Sequence, residues 1–121
     1  MSDLPEHVSR NRALWDDWAV KYAEAGERGW AQAAPDWGIW GVSEEQARMI
    51  PPDLAGRDAI ELGCGTAYVS SWLARRGARV VGIDNSEKQL ATARRLQQLH
   101  GLDFPLLHGN AEAVPRPDES F

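Results

Sequence analysis

Two stretches decide how this chain folds: Glu61-Leu62-Gly63-Cys64-Gly65-Thr66-Ala67, and Val80-Val81-Gly82-Ile83-Asp84-Asn85-Ser86. The first follows a short run of strand character, residues 58–62, and opens a helical pattern over 66–76, so its glycines fall at a strand-to-helix turn. Gly63 and Gly65 lack Cβ atoms, which permits a tight turn and lets a ligand approach the backbone closely. Ligands of open α/β sheets bind at such turns, beyond the carboxyl ends of the strands. Asp84 ends a second strand pattern, residues 79–84, and stands 21 positions after Gly63. From there a carboxylate can accept hydrogen bonds from both hydroxyls of a ribose.

Outward from these stretches the pattern continues as β-α-β-α-β. In the first helix Val69, Trp72 and Leu73 share a face, and Gly77 follows as a C-cap. The second helix, residues 87–100, opens with a capping box from Ser86 to Gln89, turns Leu90, Ala93, Leu96 and Leu99 inward, and closes at Gly101. Residues 104–108 supply a third strand. Short connections and strict alternation imply a parallel, doubly wound, Rossmann-like sheet with right-handed crossovers and strand order 3-2-1 for this half. Pro105 cannot donate to a ladder, which places the third strand at an edge.

Residues 109–121 carry Pro115, Pro117 and several charges, and read as a loop approaching a further strand. The expectation is therefore the first half of the fold, with the C-terminal half absent. Ala59 and Ile60 would then lie on an unpaired apolar edge of the first strand, an invitation to a swapped dimer or another homo-oligomer.

Ahead of Pro51-Pro52 the composition changes, and five of the six tryptophans lie there. Leu14, Trp15, Trp18, Ala19 and Tyr22 recur at helical spacing, Ser9 or Asn11 can cap that helix, and Gly26 can end it. A loop over 29–41 follows. Ser43 and Gln46 then form a capping box for a short helix that Pro51 stops. The chain divides into an N-terminal helical, tryptophan-rich cap, residues 1–52, and a partial cofactor-binding domain, residues 53–121.

Composition excludes several functions. At 121 residues the chain suits one core burying roughly two-thirds of its unfolded surface. A net charge of -5 argues against nucleic acid, whose phosphates need a lysine and arginine surplus. No run reaches the roughly 18 apolar residues of a membrane span, and the first twelve residues are polar, so the expected compartment is the cytoplasm. Cys64 is the one cysteine, which leaves no disulfide and no cysteine pair for zinc. His7, His100 and His108 are scattered, without metal-ligand spacing, so no metal is expected.

Two glycines and a downstream carboxylate fit a dinucleotide as well as other nucleoside cofactors. Two residues separate the classes. Tyr68 occupies the position where a dinucleotide fingerprint wants a third small residue beneath a pyrophosphate. Glu61 sets a negative charge where two phosphates would otherwise sit, whereas a cofactor with an ammonium and a sulfonium tolerates or favours that charge. No Gly-Lys-Ser/Thr follows the turn, so a phosphate-binding P-loop is excluded.

Glu-Leu-Gly-Cys-Gly-Thr-Ala, Val-Val-Gly-Ile-Asp-Asn-Ser and Gly-Asn-Ala-Glu at 109–112 resemble, in order and spacing, three motifs of class I S-adenosylmethionine-dependent methyltransferases of the bacterial small-molecule type. The resemblance implies S-adenosylmethionine as cofactor and methyl transfer to a small-molecule acceptor. It implies that Glu61, Gly63 and Gly65 line the methionine part, that Asp84 holds the ribose, and that Asn85 lies beside the adenine. Asn110, Ala111 and Glu112 would continue the adenine pocket. Cys64 belongs to the same turn as a small space-filler rather than a nucleophile. Two positions depart from the pattern: Ala67 stands where many members have a third glycine, and Asn110 where many have aspartate. Trp15, Trp18, Tyr22, Trp37 and Trp40 either pack the cap or form a lid over cofactor and acceptor. No catalytic base is assignable. The alternatives are a nicotinamide-dependent oxidoreductase and a noncatalytic cofactor-binding or interaction module.

Overall fold

The computed structural model describes residues 5–117 and Phe121. Its first helix, α1, runs Glu6–Trp30. It begins earlier than Ser9 or Asn11, because the Pro5 carbonyl already accepts from Val8 N and Ser9 N at 3.0 Å each. It also passes through Gly26, where the sequence signal for a stop is overridden by packing. A Cβ at Gly26 would stand 2.6 Å from Thr66 Oγ1, and one at Gly29 2.8 Å from the Tyr68 ring. Both glycines are notches in which α1 lies against the glycine turn. The helix ends only after burying Trp30 completely.

The loop predicted over 29–41 holds one strand of a small antiparallel hairpin, β1, Asp36–Trp37, which pairs with β2, Val42–Ser43, just beyond it. Helix α2, Glu44–Ala47, follows with its capping box intact, Ser43 Oγ accepting from Gln46 N at 3.2 Å. It stops at Arg48, in the left-handed region at φ 50, before Pro51 is reached.

The alternating half forms as expected. Strands β3 (Asp58–Leu62), β4 (Arg79–Asp84) and β5 (Leu106–His108) make a parallel sheet in the order β3-β4-β5. The third strand is shorter than predicted and lies at the edge, with Pro105 just outside it. Helices α3 (Tyr68–Arg75) and α4 (Glu87–His100) make the crossovers. Ser86 caps α4 by accepting from Gln89 N at 3.2 Å, and Gly101 ends it at φ 68. Helix α3 starts two residues later than predicted, because Ala67 is left-handed at φ 63.

Trp30, Cys64, Ala67, Val80, Leu90, Ala93, Leu96 and Phe104 form the core, each apolar side chain of leucine size contributing about 1.5–3 kcal/mol by burial. Leu99 does not join them; it is 65% exposed. Nine residues at about 100° each set it half a turn round from Leu90. Gln97 takes the inward place, its Nε2 donating to Phe104 O at 2.8 Å. In α1 the buried stripe is Val8, Ala19, Gly26 and Trp30, packed along α4 and α3. Leu14, Trp15, Trp18 and Tyr22 each remain about two-fifths exposed, Trp15 and Tyr22 along the flank of that stripe and Leu14 furthest round from it.

Candidate functional site

Strand β3 hands the chain to α3 through Gly63, Cys64, Gly65, Thr66 and Ala67, with φ of 66 at Gly63 and 57 at Gly65. These left-handed values are what the glycines are needed for. Cys64 N donates to Ile83 O at 2.9 Å, fastening the turn to the end of β4. The Asp84 carboxylate is shared between the two strand ends: Oδ1 accepts from Gly65 N at 3.0 Å and Oδ2 from Ser86 N at 2.9 Å. Each oxygen keeps a lone pair for a further donor.

Beside this carboxylate lies a cavity of about 240 Å³, walled by Gly63, Ile83, Asp84, Asn85, Asn110, Ala111 and Glu112, and roofed by His7, Val8, Asn11 and Trp15 of α1. A Cβ at Gly63 would meet nothing within 4 Å, so the bare backbone opens onto the space. Glycine backbone, carboxylate and amide side chain converge on one hollow.

Most predicted residues meet there, though several have internal duties. Asn85 tethers α1, its Oδ1 accepting from Arg12 Nε at 2.6 Å and its Nδ2 donating to Val8 O at 2.9 Å. Ser86 Oγ donates to Asp16, a second tether from the same loop. His7 meets Glu112 at 2.9 Å, closing α1 over the far rim. Asn110 Oδ1 accepts from Glu112 N at 3.0 Å, shaping its own turn.

Glu61 and Cys64 lie behind the cavity rather than on it. Glu61 Oε1 accepts from Ser70 N at 2.9 Å and Ser70 Oγ at 2.7 Å, a carboxylate set against the first turn of α3, where free N–H groups favour negative charge. Burial raises its pKa above the ordinary carboxylate value despite those bonds, and the charge of Asp84 adds to the rise. Cys64 packs against the β4 backbone, its Sγ 3.0 Å from where a Cβ on Gly82 would stand. Burial, with the charges of Glu61 and Asp84, pushes its thiol far up, which favours the protonated form.

A larger cavity, about 860 Å³, adjoins the turn on its other side and includes Trp15, Tyr22, Gly65, Thr66, Tyr68 and Gln89 in its wall. Trp15 lines both cavities, and Tyr22 stands 5.6 Å from it by ring centroids. Trp18 packs edge-on against Trp15 at 5.5 Å and lines neither cavity. Trp37 donates to Glu44 Oε1 at 3.1 Å, and Trp40 is 86% exposed at the hairpin; neither reaches the cavities. Tyr68 fills the notch at Gly29, its hydroxyl accepting from Asp36 N at 2.9 Å and donating to Gln32 Oε1 at 2.9 Å. A third cavity, about 660 Å³, lies at the opposite ends of the strands between Asp58, Arg79 and Phe104, away from this chemistry.

Arg12 and Trp30 were not singled out from the sequence, and Gln89 was read only as the capping-box partner of Ser86. Trp30 anchors the site from below, its Nε1 donating to Thr66 O at 2.8 Å. Neither Arg12 nor Trp30 carries a local signal, since their partners stand 73 and 36 positions away. Among the described residues no three histidine, cysteine or acidic side chains stand together as metal ligands, and no helix is long and apolar enough to cross a membrane.

The matches to known proteins agree with this geometry. Residues 59–121 match the Methyltransferase domain family. Ubiquinone biosynthesis O-methyltransferase of Azoarcus sp. (strain BH72) is 42% identical over 66 residues, 53% of this chain and 28% of that protein. The enzyme of the same name from Dinoroseobacter shibae is 35% identical over 82 residues, 66% of this chain and 33% of that protein. The chain thus spans about a third or less of these relatives. Among solved structures, the PH0226 protein of Pyrococcus horikoshii OT3 superposes with a TM-score of 0.53 at 27% identity, over 55% of this chain and 29% of that one. A structure from work on the conversion of a disulfide bond into a thioacetal group during echinomycin biosynthesis gives 0.55 at 24% identity, over 89% and 44%, a likeness of fold.

Sheet order, glycine turn and strand-end carboxylate define a Rossmann-like domain for a nucleoside cofactor. The chain belongs to the class I S-adenosylmethionine-dependent methyltransferases, whose cofactor is S-adenosylmethionine. The nicotinamide alternative is not favoured.

Proposed function

We propose that this chain holds S-adenosylmethionine beside Gly63 and Asp84, and that the whole protein uses it to methylate an oxygen of a small-molecule acceptor. The observation that carries the reading is the Asp84 carboxylate, fixed by two backbone N–H groups at the mouth of the 240 Å³ cavity with lone pairs still free. The O-methyltransferase names of the relatives support an oxygen acceptor. The cofactor supplies an electrophilic methyl group on a sulfonium, so the protein's work is placement and exclusion of water.

In this reading Asp84 accepts from the ribose hydroxyls, the backbone at Gly63 and Gly65 lies along the cofactor, and Asn85, Asn110, Ala111 and Glu112 bound the adenine. Glu61 contributes negative charge from behind the turn, and Cys64 fills the space beneath it. The larger cavity receives the acceptor. Trp15 and Tyr22 form the lid proper, with aromatic faces toward a cationic cofactor. Trp18 stiffens Trp15 from behind, and Trp37 and Trp40 belong to the cap. The tethers from Arg12, Asp16 and His7 hold that lid down. One buried, unpaired cysteine suits a reducing cytoplasm. Strand β3 has β4 as its only ladder partner among the described residues, which supports association through its other edge.

The test is calorimetric titration with adenosylhomocysteine. Asp84→Ala removes charge-assisted hydrogen bonds worth about 1.5–3 kcal/mol each, so affinity falls at least about tenfold. Absence of binding by the unaltered chain would sink the reading, as would quenching of nicotinamide fluorescence in its place.

A further inference from the structure

The hairpin after α1 carries an apolar apex. Residues 37–43 read Trp-Gly-Ile-Trp-Gly-Val-Ser, without a single charge. Pairing of Asp36 with Ser43 and of Trp37 with Val42 leaves residues 38–41 as the connection. Gly41 N donates to Gly38 O at 3.2 Å, so Ile39 and Trp40 stand at the tip of a closed turn, flanked by glycines in the left-handed region at φ 71 and 61. Ile39 is 89% exposed and Trp40 86%. The base of the hairpin is fixed: Asp36 N donates to the Tyr68 hydroxyl at 2.9 Å, and Trp37 Nε1 to Glu44 Oε1 at 3.1 Å. The exposed pair is therefore held out by an ordered projection.

Single exposed apolar residues are ordinary, whereas two large neighbours at the tip of an ordered turn mark a contact surface. Size decides its kind. A tryptophan buries at most about 250 Å², so the pair offers under about 500 Å², short of the roughly 800 Å² that each partner gives to a stable protein interface. A convex tip would also need a matching pocket on a protein, while the interface of a bilayer closes round any shape. Trp40 suits that interface, since tryptophan joins an apolar ring to one N–H donor, and its indole N–H has no partner among the described residues.

We propose that Ile39 and Trp40 form a docking tip for a neutral phospholipid surface, both side chains entering the headgroup region while the rest of the chain stays in water. Charge selects the lipid. A chain of net charge -5 is repelled by an anionic surface, and the uncharged apex supplies no cation to offset this. Gly38 and Ile39 also belong to the wall of the 860 Å³ cavity, so docking brings that cavity to the lipid surface. Nothing in this docking depends on which cofactor fills the smaller cavity.

The experiment sediments the chain with vesicles of phosphatidylcholine alone, and of phosphatidylcholine and phosphatidylglycerol in equal parts, at low and high salt. The unaltered chain should partition onto phosphatidylcholine, no more strongly onto the mixture, and no less strongly as salt rises, because the contact is apolar. Trp40→Ser should lower the partition roughly tenfold or more, and Ile39→Ser combined with Trp40→Ser roughly a hundredfold or more, as for the loss of one and two large buried side chains. Val20→Ser, which removes a comparably exposed valine from α1, should change nothing. All these variants should melt with the parent, since exposed side chains contribute little to the fold. Brominated phosphatidylcholine should quench the tryptophan emission of the unaltered chain and quench Trp40→Ser less. Absence of vesicle binding would overturn the proposal, as would equal quenching of parent and Trp40→Ser, an equal loss with Val20→Ser, or binding that requires phosphatidylglycerol and vanishes in salt. So would a dimer of the unaltered chain that Trp40→Ser dissociates, because the tip would then cover a second copy.

Discussion

The alternating half and the N-terminal segment are held by different kinds of contact. From β3 to β5 nearly every boundary is set by something within a few residues: Ser86 caps α4 three residues from Gln89, and Gly101 ends it where a left-handed residue is needed. Helix α1 is set by contacts 36 to 105 positions away: Trp30 on Thr66, Arg12 on Asn85, His7 on Glu112. Of its 25 residues only Val8, Ala19, Gly26 and Trp30 are buried. The alternating half is thus locally encoded, whereas α1 is held by the turn and strand ends it packs against. Cofactor binding and docking of α1 should therefore be coupled.

The largest test of that difference is Trp30→Ala. The side chain is wholly buried, donates to Thr66 O at 2.8 Å, stacks on Phe104 at 6.4 Å between centroids, and lies beneath the Arg75 guanidinium. Removing it should cost about 3–5 kcal/mol, a large share of the roughly 5–15 kcal/mol that holds a domain together. The expected result is a fall in melting temperature of roughly 10–25 °C, with weaker adenosylhomocysteine binding even below that transition, since the glycine turn loses its anchor. A loss under about 1 kcal/mol would show that α1 does not depend on this residue.

This contrast also explains what could be read from the sequence. The bounds of β3, β4 and α4, the strand order, the edge position of β5 and the gathering of Gly63, Asp84 and Asn110 round one hollow follow from turn and cap chemistry and strand-helix alternation. Local rules misled at Gly26, which resembles a helix stop but is a notch for Thr66, and at Leu99, where apolar character was trusted over angular position. The inward turn of Glu61 onto Ser70 and the tethering of Asn85 depend on which element lies opposite, and spacing holds no such information.

Acid titration sharpens the comparison with a smaller effect, because the N-terminal segment and the alternating half each enclose a carboxylate with opposite consequences. For Glu44, 7% exposed, burial pushes the pKa up, but bonds from Ile50 N (2.9 Å), Met49 N (2.7 Å) and the Trp37 indole, with the charge of Arg76, bring it below its ordinary 4.5. A depressed folded-state value gives stability that is complete above pH 4.5 and lost as pH falls from there through the folded value. For Glu61 burial wins and the folded-state value lies above 4.5. Its protonated form is the one the fold prefers, so stability falls as pH rises from 4.5 through the folded value. Denaturant melts of Glu44→Gln and Glu61→Gln between pH 3 and 8 should therefore diverge. Glu44→Gln is less stable than the parent at neutral pH and converges with it in acid. Glu61→Gln is more stable at neutral pH, converges in acid, and binds adenosylhomocysteine less tightly. Parallel pH profiles would mean that neighbouring charges, rather than these two environments, govern the titration.

The smallest expected change tests the most local feature of all. Ala67 occupies the place where the family pattern often has glycine, and its φ of 63 and ψ of 36 put it in the left-handed region. An L-residue there carries about 1–2 kcal/mol of strain that glycine would not. Two terms oppose the exchange. The Ala67 methyl is 0% exposed within the core cluster, worth about 0.8 kcal/mol by burial, and glycine loosens the unfolded chain by about 0.4–1 kcal/mol. These contributions nearly cancel, so Ala67→Gly should shift stability by less than about 1 kcal/mol in either direction. The same near-balance is why alanine is tolerated at a position whose backbone favours glycine. A destabilisation above about 2 kcal/mol would show that the methyl contact, not the backbone, fixes the entry into α3 and with it the position of Gly65 against Asp84.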